Sequence, residues 1–232
     1  MDRLKHLNHF YDTLMELRSK TGTRILATCN IQMEWPQQGV YFFFEPGELR
    51  DNGKQMRVVR VGVSKYSESP QSPLWDRLRE HRGTISGKFS GGGNHRISNF
   101  RYHVGSALIN RDNIVCPSWE KLDASNTPIR KKEHTIEKKA SDIISNMPFL
   151  WISTDRSSHP DQLNSFIKRN AIALLSNYHK QNVLDSPSLT WLGRYSLHEA
   201  IRLSGLWNHR SVDVKYNPRF LNSLDKLVRL VK

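Results

Sequence analysis

The stretch 39-GVYFFFEPGELRDNGKQMRVVRVGV-63 predicts a β-hairpin. Two runs rich in aromatic and β-branched residues, 39–45 and 56–63, flank a polar loop that contains the turn-forming pair Asn52-Gly53. Two polar side chains interrupt these runs. Tyr41 is the third residue of the first run, and Arg60 lies among the valines of the second. A sheet built only to be buried needs neither residue, so both are candidates for function.

The charge of the chain is the strongest compositional signal. The sequence has 35 Lys and Arg against 22 Asp and Glu, a formal net charge of +13. Nearly half of this excess falls between residues 77 and 111, where Glu80 is the only acid among seven basic residues: Arg77, Arg79, Arg82, Lys88, Arg96, Arg101 and Arg111. Such clustering is typical of proteins that neutralise nucleic-acid phosphates. A membrane-surface protein and an ordinary basic protein are the alternatives.

Several classes of protein are not favoured by the sequence. No window approaches the ~18 consecutive apolar residues of a membrane span, and the N-terminus lacks the pattern of a signal peptide. Residues 1–20 instead predict an amphipathic helix, with Leu4, Leu7, Tyr11 and Leu14 near one face. The two cysteines form neither a disulfide framework nor a zinc-ligand cluster. We therefore expect a cytoplasmic protein that does not bind membranes.

Patterns further along the chain predict an alternation of helices and strands. Ser196 and Glu199 match a capping box at the start of a C-terminal helix, and the tryptophans of 191-WLG-193 and 205-GLW-207 are expected to pack in the core. The other predicted elements are helices over 73–82, about 97–108, 132–146 and 160–178, and a strand over 148–154.

Two motifs and their order carry a resemblance to a known family. Tyr41 in 39-GVY-41 and Gly62 in 60-RVG-62 stand where the name-giving motifs of the GIY-YIG nuclease superfamily stand. The following helix, in 75-WDRLREHRG-83, carries Arg77 and His81, whose i, i+4 spacing places them on one face. The order strand, strand, arginine helix, strand, final helix also resembles that of the family. The whole chain is similar to bacterial proteins with this domain, relatives of restriction and repair endonucleases.

The resemblance implies an α/β (α+β) fold with a small three-stranded antiparallel sheet flanked by helices. It covers residues 39–182, with an insertion at about 83–147. Residues 1–38 would form an N-terminal helical extension, and residues 183–232 a C-terminal extension packed on the core.

The resemblance also implies a metal-dependent endonuclease that hydrolyses phosphodiester bonds in DNA, taken as double-stranded, with one Mg²⁺ or Mn²⁺ ion. Tyr41 would help to activate the attacking water, and Arg77 would neutralise the scissile phosphate, which suits a permanently charged, fork-shaped group. His81 follows on the same helical face. Arg60 replaces the tyrosine of the second motif, and a cation there could favour the phenolate of Tyr41 or contact phosphate. The alternatives are core packing for Tyr41, an exposed sheet face for Arg60 and a solvated helix face for Arg77 and His81.

Candidate DNA contacts surround this site. The segment 91-GGGNHRISNFRYH-103 has glycines that let a backbone approach phosphates closely, followed by polar and basic side chains. A flexible loop that leads into an ordinary helix explains the same segment equally well. The predicted DNA-binding residues are Arg79, Arg82, Asn94, His95, Arg96, Arg101 and Lys168.

The metal site is where the sequence departs most from the family. Aligning 166-FIKRNAIALL-175 with the final helix places Lys168 where the metal-binding glutamate stands. Either the carboxylate comes from elsewhere, with Glu137 as candidate, or the site is disabled. Without such a role, Glu133 and Glu137 are expected on an exposed charged helix face. Three functions follow: an endonuclease that is weakened or inactive, a GIY-YIG-fold DNA-binding module without hydrolysis, and a basic scaffold that binds proteins.

Overall fold

A computed structural model describes residues 2–64, 72–122 and 126–231. Its centre is an antiparallel four-stranded sheet in the order β1-β4-β2-β3, in which the strands are β1 (Arg24–Ile25), β2 (Gly39–Leu49), β3 (Met56–Val63) and β4 (Pro148–Ser153). The three predicted strands and the α+β class are confirmed. The fourth strand, β1, is only two residues long, too short to give a periodic pattern in the sequence.

The predicted hairpin forms around the Asn52-Gly53 turn, where Gly53 has φ +66°. In its register Tyr41 pairs with Gly62 and Phe43 pairs with Arg60. Because residues directly opposite each other on paired strands project from the same face, these four residues share one side of the sheet. The pairing becomes irregular after Phe43, and β2 continues past Pro46 as far as Leu49.

The helices of the described residues are α1 (Asp2–Thr21), α2 (Pro73–Arg82), α3 (Asn99–Arg111), α4 (Thr127–Ser145), α5 (Pro160–Leu175), α6 (Glu199–Ser204) and α7 (Arg219–Arg229). Ser72 caps α2 by accepting a hydrogen bond from Trp75 N, and Pro73 occupies the first turn. The predicted capping box of α6 is wrong, because His198 precedes the helix and Ser196 Oγ accepts from His198 N. None of these helices is long and apolar enough to span a bilayer.

Two hydrophobic cores lie on opposite faces of the sheet. Val40, Phe42 and Val61 face a core shared with α1, α5 and α7. Tyr41 and Phe43 face the other core, which is shared with α2, α3 and α4. The alternation of side chains along β2 therefore sends Tyr41 to the side of α2.

The C-terminal segment runs along the open edge of β3. Trp207 N donates to Val59 O at 2.7 Å, and the side-chain amide of Asn208 bonds both Val61 N and Val61 O at 2.9 Å. The indole N–H groups of Trp191 and Trp207 both donate to Glu45 Oε2, and the predicted packing of these tryptophans is confirmed. An exposed strand edge is thereby covered.

Candidate active site

Five side chains from four elements meet beside the hairpin and form what we call the Tyr41 pocket: Tyr41 from β2, Arg60 from β3, Arg77 and His81 from α2, and Lys168 from α5. The structure thus brings together all four predicted catalytic residues and the lysine in the metal-glutamate position. The tyrosine and the α2 arginine lie on the same side of the sheet, as the proposed site requires.

A hydrogen-bonded chain fixes the tyrosine at the centre of the pocket. Tyr41 Oη lies 2.7 Å from His81 Nε2, and His81 Nδ1 lies 2.7 Å from Ser98 Oγ. Ser98 is the N-cap of α3, and its Oγ also accepts from Arg101 N. In the tautomer in which Nδ1–H donates to Ser98, Nε2 accepts the proton of the tyrosine hydroxyl.

Steric contact with Tyr41 explains why position 62 of the second motif is a glycine. A Cβ atom at Gly62 would lie 2.1 Å from Tyr41 Cζ and 2.2 Å from its hydroxyl oxygen. The tyrosine ring therefore lies directly over the glycine that pairs with it across the two strands. The tyrosine and the glycine of the two motifs therefore pack as one unit.

Arg60 is buried, so the exposed-face alternative is wrong: only 7 % of the residue is accessible. Its Nη1 donates to Trp207 O at 2.8 Å, and its guanidinium lies over the Phe100 ring at 4.5 Å. Burial lowers the pKa of Arg60 to about 10, so the group stays charged at neutral pH. Its Nε is buried and makes no hydrogen bond within the described part of the chain, and the neighbouring Tyr41 partly offsets the effect of burial on the pKa of Arg60.

Arg77 lies nearer to the surface than Arg60. Its Nη1 donates to Glu80 Oε2 at 2.5 Å and to Ile97 O at 3.0 Å. Burial would lower the pKa of Arg77, but the neighbouring Tyr41 and Glu80 outweigh burial, and the pKa lies above its usual range. The group therefore stays charged at any pH at which the protein is folded.

Lys168 adds a further cation to the pocket. Burial, together with the charges of Arg60, Arg77 and Arg210, lowers its pKa to about 8. Such mutual repulsion between cations shows that carboxylates do not neutralise this part of the molecule fully. Tyr41 and His81 are at most 1 % exposed, whereas Arg77 and Lys168 reach closer to solvent. A phosphate that enters the pocket would therefore meet the arginine and the lysine first.

A groove of about 820 Å³ runs along α2 and meets the Tyr41 pocket at Arg77. The predicted DNA-binding residues Arg79, Arg82 and Asn94 also line this α2 groove. Arg79 forms an exposed pair with Asp76, and Arg82 bonds Cys29 O.

The other predicted DNA contacts lie in a buried ionic cluster, the Glu137 cluster, made of His95, Arg96, Arg101, Glu133 and Glu137. Arg101 has no accessible surface and binds Glu137 Oε2 through Nε at 2.9 Å and Nη2 at 2.5 Å. Arg96 makes a two-pronged pair with Glu133 at 2.7 and 2.8 Å. The two glutamates are at most 3 % exposed, so their expected place on an exposed helix face is wrong.

His95 belongs to the same cluster. Its backbone N and its Nδ1 both bond Glu137 Oε1, and its ring stacks on Trp119 with 3.8 Å between ring centroids. Gly93 makes room for the Arg101 side chain of the same cluster, since a Cβ at Gly93 would lie 2.4 Å from Arg101 Cζ. His95, Arg96 and Arg101 all bond carboxylates inside the protein, which favours a structural role for them over contact with DNA.

In a comparison with protein-family models, residues 1–232 match the family described as GIY-YIG domain. This chain belongs to the GIY-YIG family. No curated protein and no solved structure matches it. The family match spans the terminal segments as well as the hairpin and α2, and it supports a nuclease-type fold.

The donor atoms of this GIY-YIG pocket do not fit a hard divalent metal. Magnesium and manganese favour carboxylate oxygens, whereas the pocket side chains are a phenol, an imidazole and three cations. Among residues 2–64, 72–122 and 126–231, no group of three or more His, Cys, Asp or Glu side chains could hold a metal ion. Glu137 has both oxygens engaged by Arg101 and His95, which leaves it poorly suited as the replacement ligand.

Sequence reasoning missed four residues next to the pocket: His103 on α3 and His198, His209 and Arg210 in the C-terminal segment. They are distant in sequence and follow no periodic pattern, so only the folded chain brings them together. Ser98 was also missed, although a serine directly before a helix is a typical N-cap signal.

Proposed function

We propose that this GIY-YIG chain is an endonuclease acting on the phosphodiester backbone of double-stranded DNA, with the Tyr41 pocket as its reaction site. The observation that carries the proposal is the hydrogen-bonded chain Tyr41–His81–Ser98 beside two arginines. A base that is oriented by a third group and bonded to a hydroxyl is the arrangement that proton transfer requires.

The chain of hydrogen bonds defines a path for one proton. An attacking water gives its proton to Tyr41 Oη while the tyrosine passes its own proton to His81 Nε2. The resulting hydroxide forms the new bond to phosphorus, and the bond to the leaving oxygen breaks. His81 then holds the proton that the leaving oxygen needs. Ser98 keeps the imidazole in the tautomer that accepts from tyrosine.

The cations of the pocket supply the charge stabilisation. Arg77 is charged and lies at the junction of the pocket with the α2 groove, where a phosphate would be positioned. The buried Arg60 has an unpaired Nε within the described residues and suits the charge that grows on the phosphoryl oxygens. Arg79, Arg82 and Asn94 extend the DNA contacts along the groove.

A second candidate function is a DNA-binding module without hydrolysis, and Lys168 is the observation that favours it. An ammonium group stands in the pocket where a metal-binding carboxylate is expected, and it binds phosphate well but repels a metal ion. Because the described donors do not fit Mg²⁺ or Mn²⁺, we derive no catalytic step through a metal.

Cleavage of supercoiled plasmid separates the two functions. Wild-type protein is incubated with DNA and Mg²⁺ or Mn²⁺ beside Arg77→Ala and the control Arg18→Ala, whose arginine is exposed on α1 away from the groove. We expect nicking by wild type and by Arg18→Ala, and a loss of at least 100-fold with Arg77→Ala. Equal cutting by all three points to a contaminant, and binding without cutting selects the DNA-binding module.

Lys168→Glu tests whether the substituted position limits activity. If the rest of the pocket is competent, the new carboxylate should raise metal-dependent cleavage, with Arg169→Glu on the next, exposed residue as control. Cutting that is strong in wild type and abolished by Glu137→Ala, with the variant still folded, would show that the final helix is misaligned and that Glu137 binds the metal.

A further inference from the structure

Three histidines that the proposed mechanism does not use form a compact cluster beside the Tyr41 pocket. His103 Nε2 and His209 Nδ1 are 2.9 Å apart, so one ring donates a hydrogen bond to the other. The ring centroid of His198 lies 5.6 Å from that of His103 and 5.0 Å from that of His209. The cluster leads from the buried His103 through the half-buried His209 to the exposed His198.

The groups that face this cluster are mostly cations. Burial, followed by His209, Arg60 and His198, lowers the pKa of His103 to about 2. Burial, followed by the neighbouring His198, Arg210, Arg60 and Lys168, lowers the pKa of His209 to about 4. Both rings are therefore neutral in the free protein at neutral pH.

Two carboxylates border the histidines on one side. Glu120 and Glu199 line, together with His103 and His198, a cavity of about 440 Å³. Both glutamates are exposed, so water and salt screen them from the imidazoles. Neither is among the charges that shift the pKa of His103 or His209.

The backbone explains why the cluster sits next to the pocket. Trp207 and Asn208 bond the edge of β3 on both sides of Arg60, and the next two residues are His209 and Arg210. The C-terminal segment therefore delivers two basic groups to the same end of the sheet as Arg60 and Lys168. A cluster of imidazoles next to Arg60, Lys168 and Arg210, none of which forms an ion pair within the described residues, is suited to an anion and unsuited to a metal ion.

We propose that His103, His198 and His209, with Arg210, form a second phosphate subsite that binds a DNA phosphodiester flanking the one in the Tyr41 pocket and takes up a proton as it does so. This inference rests on the proposed action on DNA. A phosphate oxygen next to His209 adds a negative charge among the cationic neighbours. It therefore raises the pKa of the imidazole and favours its protonated form. Binding is therefore coupled to protonation.

The sign of the effect follows from linkage. The complex holds one more proton than the free protein between pH 4, the approximate pKa of free His209, and the higher pKa in the complex. DNA affinity should therefore rise as pH falls through that window. If the pKa in the complex is near the ordinary value of about 6.5, Kd should fall about tenfold between pH 7.5 and pH 5.5.

Fluorescence anisotropy with a short labelled duplex, in EDTA and at fixed ionic strength, measures this dependence. The double variant His198→Gln/His209→Gln should lose most of the gain in affinity that wild type shows between pH 8 and pH 5.5. His198→Arg, with a permanent charge at the exposed position, should bind more tightly than wild type at pH 8. The exposed His159→Gln is the control and should keep the wild-type pH dependence.

A second measurement needs no variant and is independent of folding defects. Calorimetric titration of wild type with the same duplex at pH 6, in two buffers of different ionisation enthalpy, gives the number of protons taken up. We expect uptake of a sizeable fraction of one proton, and its absence overturns the subsite. A double variant with an unchanged pH dependence also overturns it. If wild type binds no DNA at any pH, the proposed function fails together with this inference; Arg77-dependent binding without proton uptake removes the inference alone.

Discussion

The molecule contains two buried polar clusters of similar composition and opposite balance of charge. The Glu137 cluster sets two arginines and a histidine against two glutamates, and its arginines reach the carboxylate oxygens at 2.5–2.9 Å. The Tyr41 pocket sets two arginines, a lysine and a histidine against a phenol, with Glu80 paired to Arg77 at its rim. The Glu137 cluster pairs its arginines with carboxylates, whereas Arg60 and Lys168 of the Tyr41 pocket form no ion pair within the described residues.

The balance of charge in a cluster distinguishes a structural role from a ligand-binding role more clearly than its residue types do. A buried cation with a carboxylate partner holds elements together, and Arg101 in addition bonds His81 O, so the Glu137 cluster fixes the last turn of α2. Buried cations that repel one another cost stability and persist where a ligand completes them. We therefore propose phosphate binding for the Tyr41 pocket and a supporting role for the Glu137 cluster.

The largest effect on stability is expected for Glu137→Ala. The substitution leaves Arg101 buried without its partner, which costs about 3–5 kcal/mol of unfolding free energy. Urea unfolding measures the loss, and Asp142→Ala, at an exposed position of the same helix, should change stability by less than about 0.5 kcal/mol. A loss below about 1 kcal/mol for Glu137→Ala would contradict the structural role.

The ion pair between Glu137 and Arg101 also makes the stability of the fold depend on pH. Burial raises the pKa of Glu137, but hydrogen bonds from His95 and the charge of Arg101 outweigh burial and lower it below the ordinary 4.5. This contribution to stability is complete above pH 4.5 and is lost as the pH falls through the pKa of the folded state. Acid unfolding of wild type should show this loss, and Glu137→Gln should show less of it.

A smaller effect is expected for Gly62→Ala, which places a methyl group within 2.2 Å of the Tyr41 hydroxyl. We expect a loss of about 1–3 kcal/mol, as for other overpacked sites, and weaker DNA cleavage because the tyrosine is displaced. A double-mutant cycle tests the cause, since the same substitution should cost little in a Tyr41→Ala background. Equal costs in both backgrounds would place the strain elsewhere.

A gain in stability is expected for Lys168→Met. The substitution removes a cation that is repelled by Arg60 and Arg77, which should stabilise the fold at pH 7 by about 1 kcal/mol after solvent screening. Between the folded-state pKa of about 8 and the ordinary 10.5, wild-type stability should rise with pH, because only the unfolded chain holds the proton. Thermal unfolding at pH 7 and pH 10, with Arg169→Met as control, measures both effects; destabilisation at pH 7 would contradict the repulsion.

The sequence predicted the fold because local patterns encode it. Alternation along 39–63 and the Asn52-Gly53 turn are short-range signals, and the structure places Tyr41, Arg77 and His81, the site residues that the family resemblance implied, close together on one side of the sheet. The charge cluster over 77–111 suggested DNA contacts at two arginines that the structure pairs with carboxylates. Sequence shows that Arg96 and Arg101 are basic, but not that α4, about 35 residues later, supplies a carboxylate to each.

For the histidine cluster the sequence failed in the opposite way, because it gave no signal for a cluster that the structure contains. His103, His198 and His209 give no local signal, since their proximity depends on how the C-terminal segment follows the edge of β3. Tertiary packing decides which residues meet beside the edge of β3, and neither periodicity nor a count of charges in the sequence predicts it.

The contrast between the two clusters is tested most directly by the salt dependence of DNA binding. Anisotropy titrations in EDTA, at several salt concentrations, compare wild type with Arg77→Ala from the Tyr41 pocket and Arg96→Met from the Glu137 cluster, each first shown to be folded by circular dichroism. We expect Arg77→Ala to weaken binding and to reduce the slope of log K against log salt by about one unit, as for one lost phosphate contact. Arg96→Met should keep the wild-type slope. A reduced slope for Arg96→Met with an unchanged slope for Arg77→Ala would contradict the account, because the ionic cluster would then be the phosphate-binding surface.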